Sequence, residues 1–138
     1  MKNGQQVTLQ LQTEVTQDGK TDYHQFKGVA TFVKMAHSYY LRYEEEVGTM
    51  VTLKVTDESQ VTILRKGQTE TKLRFDLATA YPSEFVTPQG KFQLETTTQE
   101  MSVLIDEALP KGEIQVIYQL FMGEEKLGDY KLQLHFSS

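Results

Sequence analysis

Three adjacent carboxylates (Glu44-Glu45-Glu46), three histidines (His24, His37, His135) and a few serines are the residues that could perform catalysis or hold a metal. Acid–base chemistry needs two carboxylates converging on one reacting centre. On an extended strand, adjacent glutamates point alternately to opposite faces, so this cluster reads as a charged hairpin end. The histidines are far apart and follow no regular ligand spacing, so no metal site is expected. No G-x-S-x-G turn surrounds Ser38, Ser59, Ser83 or Ser102. The segment Thr87-Pro88-Gln89-Gly90 lacks the glycines and the lysine of a phosphate loop. The sequence therefore points away from an enzyme and calls for no cofactor.

The elements that must position these residues are short alternating runs. Between Ser38 and Leu77, apolar side chains recur at every second position: Tyr39, Leu41, Tyr43; Val51, Leu53, Val55; Val61, Ile63; and Leu73, Phe75, Leu77. A period of two is the signature of strands with one buried face. Val47-Gly48, Asp57-Glu58-Ser59 and Lys66-Gly67-Gln68 close hairpins between them. The same pattern precedes this meander in Val7, Leu9, Leu11 and Val15, and in a second strand of about Asp22 to Met35. Asp18-Gly19 supplies a type I′ turn between those two strands. Gly28 in the second strand predicts a bend or bulge. Ala78 to Gly90, with two prolines, reads as one long structured loop.

Beyond that loop, Phe92, Leu94, Thr96 and Thr98 share one parity, and Met101, Val103 and Ile105 the other. That change of phase predicts a bulge near Gln99–Glu100. Asp106 to Gly112 is a turn with room for one helical turn before Pro110. Two further strands carry Ile114, Val116, Tyr118, Leu120 and Tyr130, Leu132, Leu134, Phe136. Nine or ten strands in up-and-down order would leave long unpaired edges if open, whereas closure into a barrel removes them. A two-sheet sandwich is the alternative, but its Greek-key links need longer connections.

The 138 residues make one domain, 1–138, large enough to bury roughly 68% of its unfolded surface. No cysteine is present, which excludes disulfides, thiolate nucleophiles and thiolate-bound zinc. A formal net charge of −5 argues against nucleic acid or an anionic membrane as partner. The basic residues Arg65, Lys66, Lys72 and Arg74 form only a local excess on one hairpin. With no apolar run long enough for a spanning helix and no apolar leader at the start, a cytoplasmic location is expected.

In order along the chain, Tyr40-Leu41-Arg42-Tyr43-Glu44-Glu45, Arg65-Lys66-Gly67, Arg74-Phe75, Thr87-Pro88-Gln89-Gly90, Thr98 and Lys111-Gly112-Glu113-Ile114 leading to Tyr118 form a set. In these residues the sequence resembles the YwiB-like family of small proteins from Gram-positive bacteria. The resemblance covers nearly the whole length. It implies a calycin-like (lipocalin-like) β-barrel of about eight to ten antiparallel strands and assigns no activity. Gln89 departs from the aromatic that relatives often carry there, which implies a looser loop.

If the alternating apolar sets face a barrel axis, several polar side chains share that face: Arg65, Thr96, Thr98 and the hydroxyls of Tyr39, Tyr43 and Tyr118. A buried arginine needs an anion or a fan of acceptors. Either Arg65 reaches solvent along its stem at a strand end, or it lines a mouth, with Thr96, Thr98, Tyr118 and Tyr43, that accepts a small anionic or amphipathic ligand. Arg74, on the parity opposite Phe75, belongs outside. The aromatics Phe26, Phe32, Phe75, Phe92, Tyr118 and Phe136 would fill much of a lumen and leave a small cavity near one end. The competing reading is an interaction barrel, in which outward Val29, Val33, Ile117 and Phe121 form a patch for a partner or a homodimer.

Overall fold

The computed structural model describes residues 4–46, 48–56 and 60–138. Its elements are ten strands: β1 (Gln5–Gln17), β2 (Lys20–Met35), β3 (Ser38–Glu46), β4 (Thr49–Thr56), β5 (Gln60–Lys66), β6 (Glu70–Asp76), β7 (Tyr81–Thr87), β8 (Gly90–Asp106), β9 (Lys111–Met122) and β10 (Glu125–Ser137). Each pairs antiparallel with its sequence neighbour, and β1 pairs with β10 from Thr8↔Ser137 to Thr16↔Asp129. The ring is therefore closed, and closure satisfies the edges that ten strands in an open sheet would expose. The expected turn at Asp57-Glu58-Ser59 and residue Val47 lie outside the described residues.

Alternation decides what lies inside. Leu9, Leu41, Leu53, Val61, Phe75, Ile114, Val116, Leu134 and Phe136 are all buried in one core cluster, while their strand neighbours face water. Apolar inside and polar outside is the reverse of a barrel that spans a bilayer. Core residues crowd one end of the barrel, where Phe136 stacks on Phe32 at 5.1 Å and Phe32 on Tyr39 at 5.6 Å. Gly112 is required there, because a Cβ would lie 2.6 Å from the Phe136 ring and 3.0 Å from the Leu104 carbonyl oxygen. At the β1–β2 turn, Asp18 and Gly19 both take positive φ (51° and 78°), as the Asp-Gly pair predicts.

Three sequence expectations are corrected. Gly28 marks no bulge: the β1–β2 register runs through Leu9↔Gly28 without a shift. The missing side chain makes room for Phe26, whose ring would stand 2.8 Å from an added Cβ. Residues 78–90 are not one loop, since Tyr81–Thr87 is strand β7. Its proline is tolerated because β6 and β7 pair only at Glu70↔Val86 and Thr71↔Phe85, and Pro82 lies beyond that short ladder. The Asp106–Gly112 segment contains turns without a helical turn, with Ala108 N donating to Asp106 Oδ1 at 3.0 Å. The bulge expected near Gln99–Glu100 is present, as a register shift between Thr98 and Glu100.

Where β6 and β7 diverge, side chains replace the backbone ladder. Arg74 lies outside over the Tyr81 ring at 4.9 Å, and Gln60 Nε2 donates to Asp76 Oδ2 at 2.8 Å. The backbone N–H of Asp76 donates to Thr98 Oγ1 of β8 at 3.2 Å. Replacing Thr98 with the isosteric valine leaves that part-buried N–H without its acceptor, and a loss of about 1–2 kcal/mol is expected in chemical denaturation. A loss under about 0.5 kcal/mol would mean that water substitutes freely for the hydroxyl.

Candidate functional site: the open end of the barrel

Opposite the packed end, the lumen is open. A cavity of about 750 Å³ enters between the strands there. Its wall is mostly apolar, with Leu11, Phe26, Ile63, Leu73, Leu94, Leu120 and Leu132 deep and Phe85, Phe92, Met122 and Leu127 nearer the mouth. This is larger than the small residual cavity expected from the supply of aromatic fillers. Two of those fillers explain the difference: Phe92 is 40% exposed at the rim, and Phe26 is drawn back over Gly28 onto Tyr43, with ring centroids 4.9 Å apart.

Two strand irregularities build the mouth. In the β3–β4 ladder the register shifts between Glu44 and Glu46, so Glu45 is the extra residue. In the β9–β10 ladder the shift between Lys126 and Gly128 leaves Leu127 as the extra one. Bulges at a barrel rim re-aim side chains, and Glu45, Glu46 and Leu127 all line the cavity. The glutamate triplet thus divides its work. Glu44 accepts from Gly48 N at 3.0 Å and ties the turn, while Glu45 turns to Arg65.

Arg65 points into the lumen from β5, flanked across the ladders by Val51 and Thr71. Its Nε donates to Glu45 Oε1 and its Nη2 to Glu45 Oε2, each at 3.0 Å, a two-pronged pair of the strongest kind. Burial by itself would depress the Arg65 pKa, but the Glu45 hydrogen bonds and charge outweigh it and raise the pKa above its ordinary value. Burial raises the Tyr118 hydroxyl far above the usual tyrosine range; Tyr130 adds to this and Arg65 opposes it. The same holds for Tyr43, where burial leads, Glu45 reinforces and Arg65 opposes. Both phenols are therefore neutral hydrogen-bond donors at physiological pH.

Of the five residues that the sequence nominated, the cavity wall takes Arg65 and Tyr118. Tyr43 sits behind Phe26. Thr96 and Thr98 do face inward, but Thr96 shares a 3.1 Å hydrogen bond with Ser83, and Thr98 holds the β6 backbone. What parity alone missed was Glu45. The triplet was visible, but the bulge beside it was not, because nothing in Glu44-Glu45-Glu46 specifies an unpaired residue. The three histidines are dispersed: His24 lines the cavity, His37 a pocket near the packed end, and His135 an outer cleft. Among the described residues no three of His, Asp and Glu converge as metal ligands would. The outward apolar residues also separate, with Val29 and Val33 on β2, Ile117 and Phe121 on β9, and β1 and β10 between them.

Closed ten-strand geometry with an apolar pocket at one end defines the class: an all-β, antiparallel barrel with a lumen open to solvent. The particular family follows from comparison. The model for "Domain of unknown function (DUF1934)" matches residues 9–134, and the chain belongs to that family. It is 25% identical over 128 residues to the "Uncharacterized beta-barrel protein YwiB" of Bacillus subtilis (strain 168), covering 91% of this chain and 89% of that protein. The crystal structure of the Bacillus subtilis ywiB protein superposes with a TM-score of 0.85 at 22% identity, over 100% of this chain and 94% of the other, which establishes the common fold.

Proposed function

We propose that this barrel is a non-catalytic, cytoplasmic binding protein for a small amphipathic molecule, which places its apolar body in the open end of the lumen and its polar head at the Arg65–Glu45 pair. The observation that carries this reading is the cavity itself. At about 750 Å³ it falls within the roughly 300–1,000 Å³ of small-molecule sites, and like them it combines an apolar wall with a few convergent polar groups. Barrels of eight strands are just wide enough to fill with side chains or to hold one ligand, and diameter grows with strand number.

The test uses straight-chain amphiphiles and two measurements. Titration calorimetry of the wild type should show saturable one-to-one binding with a negative heat-capacity change, the mark of buried apolar surface. The chain contains no tryptophan, so Met122→Trp at the mouth supplies a fluorescent reporter for the same event. Leu120→Trp, which fills the lumen, should weaken binding by at least about tenfold. A wild type that takes up no amphiphile and gains no Tm in their presence would overturn the proposal.

A further inference from the structure

We infer that the open lumen selects amphiphiles with an uncharged polar head, a hydroxyl or an amide, and discriminates against carboxylates. The inference rests on the proposed binding role and adds the chemistry of the head group. An arginine inside an apolar barrel would ordinarily mark an anion site. Here both oxygens of Glu45 already hold it, through Nε and Nη2 at 3.0 Å each. A ligand carboxylate would have to displace Glu45 and leave that glutamate without its partner, or approach a closed ion pair.

The surrounding charge points the same way. Among the described residues, the lysine, arginine, aspartate and glutamate side chains lining the cavity are Arg65, its partner Glu45 and the neighbouring Glu46, so the mouth carries more negative than positive charge. The whole chain, at −5, adds to it. A second anion there is disfavoured by the field as well as by the occupied guanidinium. A neutral head meets no such opposition. The closed pair still presents the unused N–H groups of Arg65 as donors and the unused lone pairs of Glu45 as acceptors. The hydroxyl of Tyr118 supplies another neutral donor on the wall. A hydroxyl or a primary amide, which both donates and accepts, can satisfy both sides of the pair at once. A carboxylate can use only the donors.

The experiment compares decanamide, decan-1-ol, decanoate and decylamine, titrated into the wild-type protein at neutral pH. The expected order places the amide and alcohol tightest, with decanoate weaker by about tenfold or more. Decanoate binding as tightly as the amide, or decylamine (drawn by the negative mouth but with no acceptor to offer Arg65) binding more tightly than the amide, would overturn the inference and leave the cavity reading standing. Failure of all four to bind would remove the cavity reading with it. Glu45→Gln then frees the guanidinium charge, and decanoate affinity should rise about tenfold or more while decanamide changes by less than about threefold. Unchanged decanoate affinity in a folded Glu45→Gln protein overturns the inference. The wild-type comparison decides the matter if that variant does not fold.

Discussion

Phe136→Ala is expected to lower unfolding stability by about 3–5 kcal/mol, among the largest effects of any single substitution in this barrel. Phe136 is wholly buried, stacks on Phe32 at 5.1 Å and faces Gly112, whose lack of a side chain admits the ring. It also pairs with Leu9 across the β1–β10 seam, so it packs where the last strand meets the first. Its removal leaves a cavity that Gly112 cannot fill and that regular strands on both sides prevent from collapsing. Phe92→Ala is the control. Phe92 is 40% exposed at the open rim, and its loss should cost only about 1 kcal/mol. Chemical denaturation of both variants reads the difference. Equal losses would mean that the two ends of the barrel are packed alike, contrary to a lumen filled at one end and open at the other.

That asymmetry shows what a two-residue period can and cannot specify. Alternation in Val51, Leu53, Val55 and in Val61, Ile63 gives both the strand and its buried face, because the pleat links residue spacing directly to side-chain direction. The same parity puts Arg65 inside. Closure follows from short turns and the need to satisfy edges. Three features were out of reach of parity. Strand β7 carries Pro82 and pairs with β6 at only two positions, so no local preference announces it; its partners are decided by tertiary geometry. The bulge that leaves Glu45 as the extra residue opposite β4 has no signal in three identical neighbours. And Thr96 and Thr98 have the right parity for a lumen wall but lie at the height where β6 and β7 part, so their hydroxyls bond Ser83 and the Asp76 backbone instead. Parity fixes the face of a residue, while its height along the barrel, which decides between wall and seam, depends on register around the whole ring.

The second large effect is loss of stability in alkali. Tyr43, Tyr118 and Tyr130 have pKa values raised by folding, in each case chiefly through burial, which opposes the phenolate. For a group whose folded pKa lies above its unfolded value, the stabilisation is complete below the unfolded pKa. It is lost as pH rises through the folded one. Above about pH 10 an unfolded tyrosine has shed its proton while the buried one keeps it. The folded chain then binds more protons than the unfolded chain, and stability must fall with pH. Each such group contributes a slope of about 1.4 kcal/mol per pH unit, so Tyr43 and Tyr118 together give about 2.7 kcal/mol per unit above pH 10. Lys34, whose pKa is raised by its 3.0 Å bond to Glu107, acts in the same direction, but both side chains are close to half exposed and the pair is screened by water. Denaturation curves at successive pH values above about 9 should therefore show a steep decline in the wild type. Tyr118→Phe should remove about half of the slope from the two buried tyrosines, and Tyr43→Phe with Tyr118→Phe nearly all of it. A double variant that loses stability in alkali as steeply as the wild type would show that these phenols reach water, and that the open end of the barrel is wetter than its apolar wall implies.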